Sequence, residues 1–136
     1  MESFRYPLFV VLGIYFVAHT GGCGGPKGPQ RYDLSGTVTY NGKPVPAGHL
    51  TFAPDKAKGN SGPGASANIE NGRYQTMPGQ GPVCGSHVVT ISGFDGVPKG
   101  MNMMGTRLFE PVRISVDLPK QNGTSDFEVP AAGERK

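Results

Sequence analysis

Between Tyr32 and Tyr40 the chain alternates between two kinds of side chain at nearly every step. Tyr32, Leu34, Gly36, Val38 and Tyr40 fall on one side of an extended backbone; Asp33, Ser35, Thr37 and Thr39 fall on the other. Period two with polar residues outward predicts a half-buried strand. Asn41-Gly42 follows at once, and both residue types accept the positive φ of a type I′ turn. Pro44 and Pro46 keep the next stretch out of a central ladder, so it reads as a connection. Alternation resumes from Gly48 to Ala53, with Leu50 and Phe52 inward, and Pro54 stops it.

Asp55 to Gly64 reads as a loop of Lys, Gly, Asn, Ser and Pro. Ala65 to Glu70 and Arg73 to Met77 then flank a second Asn-Gly, with Ile69 and Tyr74 as the apolar anchors of that hairpin. Pro78 to Pro82 is another turn cluster. Gly85 to Ser92 carries Val89 and Ile91 on one face and Val88 and Thr90 on the other, which predicts a central strand. Gly93 to Thr106 reads as the longest irregular stretch. Arg107 to Leu118 places Leu108, Val112, Ile114, Val116 and Leu118 in register around Pro111. Thr124 to Val129 closes the body with Phe127 and Val129 inward, and 131–136 is a polar tail. About seven short strands, frequent turns and no helix of two turns predict an all-β, antiparallel, Ig-like β-sandwich over 32–130.

The N-terminal stretch is patterned differently. Pro7 to Ala18 is apolar and without charge, Arg5 precedes it, and Thr20-Gly21-Gly22-Cys23 follows. A run of this length suits a signal-peptide core better than a bilayer span of roughly 30 Å. Small residues followed by Cys23 resemble a bacterial lipobox, although Thr20 stands where Leu is usual. The resemblance implies a signal peptide over 1–22, diacylglycerol on the Cys23 thiol, and cleavage before Cys23. It also implies a membrane partner through that lipid and a place in the cell envelope, periplasm-facing or on the outer surface. Gly24 in place of Asp favours the outer membrane. The alternatives are an uncleaved anchor and ordinary cleavage with Cys23 left as a thiol, and a Cys23–Cys84 disulfide is open where Cys23 is not lipidated. Gly24 to Gln30 is rich in Gly and Pro and, with Arg31, reads as a tether over 23–31.

Composition adds little chemistry. Lys and Arg number 13 against 10 Asp and Glu, without a basic cluster, so no nucleic-acid footprint is expected. Lys56 and Lys58 read as solvation of a loop. Cys84 reads as a half-buried residue at a strand start, with no Lys or Arg close in sequence to lower its pKa. Asp55 and Asp95 stand alone and predict no calcium site. Met101, Met103 and Met104 admit three readings: side chains folded back on the sandwich edge, an apolar contact patch, or a Cu(I) site. No metal or other cofactor is expected.

The order of segments also resembles a known group. The stretch LSGTVTYNGKPVPAGHLTFAPD, then ENGRYQT, then GPVCGSHVVTISG is similar to carboxypeptidase-regulatory-like or transthyretin-like domains of bacterial lipoproteins. Gly36 and Val38, Gly42 to Pro46, Leu50 to Pro54, Asn71 to Tyr74 and Gly85 to Ile91 carry the likeness. It implies a prealbumin-like sandwich and no particular reaction. One branch of that group hydrolyses 5-hydroxyisourate and carries a Tyr-Arg-Gly-Ser terminus, which this sequence lacks. The expected function is therefore a non-catalytic, membrane-tethered binding or structural module of the cell envelope. Its partner is another envelope protein or a polysaccharide, met through 94–106. The alternative is a small periplasmic metal-handling protein or enzyme using His49 and His87 or the three methionines.

Overall fold

The computed structural model describes residues 28–131. The expected signal segment over 1–22 and the expected lipidation site at Cys23 lie outside the described residues. The described residues form nine strands and one short 3-10 turn, Lys56–Lys58. They are β1 (Leu34–Tyr40), β2 (Lys43–Pro44), β3 (Ala47–Pro54), β4 (Ala65–Glu70), β5 (Arg73–Gln75), β6 (Gly85–Phe94), β7 (Val112–Leu118), β8 (Gly123–Thr124) and β9 (Phe127–Val129). The fold is all-β, with a curled sheet in the order β2-β1-β5-β4-β3-β6-β7.

Local chemistry accounts for the turns. Asn41 and Gly42 have φ of 52° and 73°, and Asn71 and Gly72 have 51° and 76°, so both hairpins turn where only these residue types do so cheaply. The stretch after Gly42 is more than a connection. Lys43 and Pro44 pair with Tyr40 and Thr39, and Pro44 is tolerated because it sits at the edge.

The antiparallel expectation holds for the seven strands of the main order and fails for the last two. The strands β8 and β9 run parallel to β1, with Leu34 opposite Gly123 and Val38 opposite Phe127. Between them Ser125 crosses directly over Gly36. A Cβ at Gly36 would collide with the Ser125 carbonyl, so the glycine is required by the approaching backbone and not by its φ. Asp126 then accepts from the Thr37 amide at 2.8 Å and from its hydroxyl at 3.0 Å.

The core gathers the alternating residues of every long strand. Leu34, Val38, Leu50, Phe52, Ile69, Val89, Ile91 and Val129 are essentially inaccessible to water. Phe52 on β3, Tyr74 on β5 and Phe127 on β9 form a triangle with ring centroids 5.9–6.2 Å apart. The Tyr74 hydroxyl donates to the Ser125 carbonyl at 2.6 Å. Burial, with the Asp126 carboxylate as second cause, pushes this phenol far above its ordinary pKa, so it stays a donor.

One inward assignment is corrected. Leu108 is 37 % exposed, and Phe109 is the buried residue. The reason lies on β6: Gly93 leaves a slot that the Phe109 ring fills, 2.5 Å from where a Cβ would stand. Tyr40 closes the other side of that ring, with centroids 4.7 Å apart.

Strand directions define two poles. Both β4 and β6 run in the direction of β1, so β6 exits at the pole opposite the point where the chain enters β1. Arg31 anchors the entry by donating to the carbonyls of Gly64, Gln80 and Gly81. Arg31, the last residue of the expected 23–31 tether, thus meets the body through its side chain.

Tyr74→Phe removes the hydroxyl that donates to the Ser125 carbonyl and is expected to cost about 1–2 kcal/mol. Gly36→Ala forces the crossing backbone aside and is expected to cost about 1–3 kcal/mol. Thr51→Lys on the solvent face should stay within about 0.5 kcal/mol of the parent. Urea unfolding measures all three, and a Gly36→Ala loss no larger than that of Thr51→Lys would contradict the crossing described.

Candidate functional site

The segment after β6 is a braced hairpin. Phe94 bridges to Arg107, the Asp95 amide donates to the Thr106 carbonyl at 2.9 Å, and the Gly96 amide donates to Met104 at 2.9 Å. At the tip Lys99 and Asn102 exchange two backbone hydrogen bonds of 2.9 and 3.0 Å. As the sequence suggests, no strand or helix lies between β6 and β7, yet this irregular stretch is braced by backbone pairs across its two arms.

Two short polar side chains do most of this bracing. Asp95 Oδ1 accepts from the amides of Val97 at 3.0 Å and Thr106 at 2.9 Å. Those two hydrogen bonds hold its carboxyl below the ordinary pKa, with Lys99 adding a smaller charge effect. Asn102 Oδ1 accepts from Met104, and its amide donates to the Gly105 carbonyl at 2.7 Å. Lys99 Nζ reaches the Thr106 hydroxyl at 2.8 Å. Gly105 lies so close to the Asp95 carboxylate that a Cβ there would collide with it.

The braced backbone leaves apolar side chains in water. Met101 is wholly exposed, Met103 is 74 % exposed, and Val97 is 56 % exposed. Met101 and Met103 do not fold back on the sandwich, whereas Met104 is 36 % exposed. Val97 belongs to the same surface and was not singled out by sequence reasoning. Its signal was available in Asp95, because an Asp two residues ahead of an amide it can cap marks a tight turn.

The two histidines do not form a site together. His49 is exposed on β3 and pairs with Ser92, while His87 is fully buried on β6 and pairs with Pro54. They occupy opposite faces, and five residues of strand separate them, about 17 Å along the ladder. His87 Nδ1 lies 2.9 Å from the Gly85 carbonyl, which fixes the proton on that nitrogen. Its buried Nε2 has no hydrogen-bond partner among the described residues. Cys84 is half-buried immediately before β6, as its place in the sequence suggests. Asp55 caps the 3-10 turn by accepting from the Ala57 amide. Among the described residues, no three His, Cys, Asp or Glu side chains converge as a metal ion would require.

The solvent face of the sheet holds a shallow open groove of about 820 Å³, lined in part by Thr37, Asn68, Glu70, Arg73, Gln75 and Asp126. Its lining mixes hydrogen-bonding groups of both signs with Ala67, Tyr74 and the exposed Met77. The hairpin is the more distinctive surface, because large apolar side chains are held out in water by a rigid frame.

The Asp95 braces titrate with a defined sign. A carboxyl held below its ordinary pKa supports the hairpin at and above the usual carboxylate range, about 3.9, and loses that support as pH falls through the lowered value. Amide proton shifts of Val97 and Thr106 should titrate together, with a midpoint below that of an ordinary Asp. Titration of the two amides at the ordinary Asp value would show that the braces carry no charge-dependent strength.

No protein-family model, no curated protein and no solved structure matches this chain.

Proposed function

We propose that this protein is a non-catalytic, lipid-anchored module of the cell envelope that presents the 94–106 hairpin to a partner. The observation that carries this reading is the exposure of Val97, Met101 and Met103 on a hairpin braced by hydrogen bonds. Methionine offers an adaptable apolar contact without fixed geometry. Recognition loops on rigid scaffolds work in this way, because little order remains to be gained on binding.

Pole geometry supports the same reading. The hairpin leaves β6 at the pole away from Arg31, where the body meets the segment leading back to Cys23. The ten residues of β6 span about 33 Å. A lipid at Cys23 therefore holds the entry pole toward its membrane and directs the methionines away from it. The partner is an envelope component met across that distance, and an apolar tip favours a protein over a polysaccharide.

Two measurements on the full chain test the anchor and the display separately. The mass of the mature N-terminus should correspond to a chain beginning at Cys23 and carrying acyl groups; an unmodified Cys23 would remove the anchor from the reading. A photo-crosslinker at position 101 should give a defined adduct in intact envelopes, about tenfold stronger than one at position 56 near the entry pole. Met103→Ser with Val97→Ser should abolish that adduct. Equal labelling at both positions would overturn the hairpin as the contact surface.

A further inference from the structure

The strand β7 ends the main sheet and pairs along only one side, with β6. Among the described residues nothing pairs with its other side. Its core-face residues Val112, Ile114 and Val116 are half-buried, whereas Val89 and Ile91 on the neighbouring strand are sealed from water. Natural edges are usually blunted by proline, bulges or inward charges. Here Pro111 and Pro119 bound the strand, and nothing inside it interrupts the open row of backbone groups.

The sequence of this edge is complementary to its own reverse. When a strand lies antiparallel to a copy of itself, the two-fold axis passes through one residue position, which faces its own image. With the axis at Ser115, Arg113 faces Asp117 of the second copy, and Asp117 faces Arg113. On the core face Ile114 meets Val116, and Val112 meets Leu118. The match continues beyond the strand, where Pro111 meets Pro119 and Glu110 meets Lys120. Every charge from Glu110 to Lys120 then faces its opposite. Moving the axis to Ile114 or Val116 shortens the overlap and sets Arg113 against Ser115 or Pro119, so no ion pair survives.

The side chains concerned are free to take part. Glu110, Arg113, Ser115, Asp117 and Lys120 are all exposed. Asp117 accepts from the Ser86 hydroxyl at 2.7 Å through one oxygen, which leaves the other for an incoming guanidinium. Glu110 has a 3.5 Å contact with Arg107, an exposed pair that exchanges at little cost.

We propose that β7 pairs with β7 of a second copy, joining two molecules into one continuous sheet about a two-fold axis at Ser115. The contact is isologous, so each molecule supplies both halves of every ion pair. It uses an edge separate from the hairpin and leaves the methionines free.

Cross-linking and charge reversal in the full chain test this pairing, on a Cys84→Ser background and with the far-UV circular dichroism of each variant checked against the parent. Ser115→Cys sets two thiols directly opposite, with Cα atoms about 4.5–5.5 Å apart, and should give a disulfide-linked dimer on mild oxidation. Arg113→Cys sets its thiols about 14 Å apart and should give none. In the Ser115→Cys protein, Arg113→Asp or Asp117→Arg alone should lower the dimer yield about tenfold, because two attractions become two repulsions. Both reversals together should restore the yield. Absence of the Ser115→Cys dimer, an equal dimer from Arg113→Cys, or no restoration in the double reversal would overturn the proposal. A foreign strand on this edge would produce the first of these results.

Discussion

The triangle of Phe52, Tyr74 and Phe127 holds the two ends of the chain together. The ladders of β8 and β9 with β1 and the Asp126 contacts to Thr37 add to this closure. Phe127 lies on a three-residue strand that a short ladder alone would not secure. It is secured because its ring is sealed between two other aromatics and because Tyr74 binds the backbone just before it. Aromatic pairs at these separations add to the value of burial itself. The crossing at Gly36 follows, since Ser125 can reach the Tyr74 hydroxyl only by passing directly over β1. A glycine in the first strand and a hydroxyl in the fifth are thus parts of one device.

What was legible in the sequence was what neighbours decide. The inward set of Leu34, Val38, Leu50 and Phe52 follows from alternation alone, and both Asn-Gly turns follow from the φ values those residues permit. The choice of Phe109 over Leu108 was not legible. It depends on the slot at Gly93, sixteen positions upstream by residue number, and Pro111 destroys the local period that would have guided the reading. The parallel pairing of β9 with β1 was equally hidden, because no turn joins those strands and their meeting is a property of the whole core. Lys43 and Pro44 pair at an edge, where the rule against proline in ladders does not apply.

The candidate site divides in the same way. That the stretch after β6 is distinctive could be read from its three methionines, but thioethers serve cores and surfaces equally well. Their exposure is settled by polar residues that carried no weight in the pattern, Asp95 and Asn102, whose side chains close turns two residues ahead. His49 and His87 show the limit of parity. Alternation does place them on opposite faces, yet the seal around His87 and its unused Nε2 depend on strands distant in sequence. Nothing in the structure explains why an imidazole occupies that core position.

The chain enters β1 at one pole and leaves β9, its parallel neighbour, at the other. A molecule held by one end and tugged by the other would be loaded along these strands. Their hydrogen bonds would then be strained in shear and resist as a group, where an antiparallel hairpin pulled from its open end would unzip bond by bond. The route by which the last strand comes home thus makes the body a stiff link in series between whatever grips its two ends.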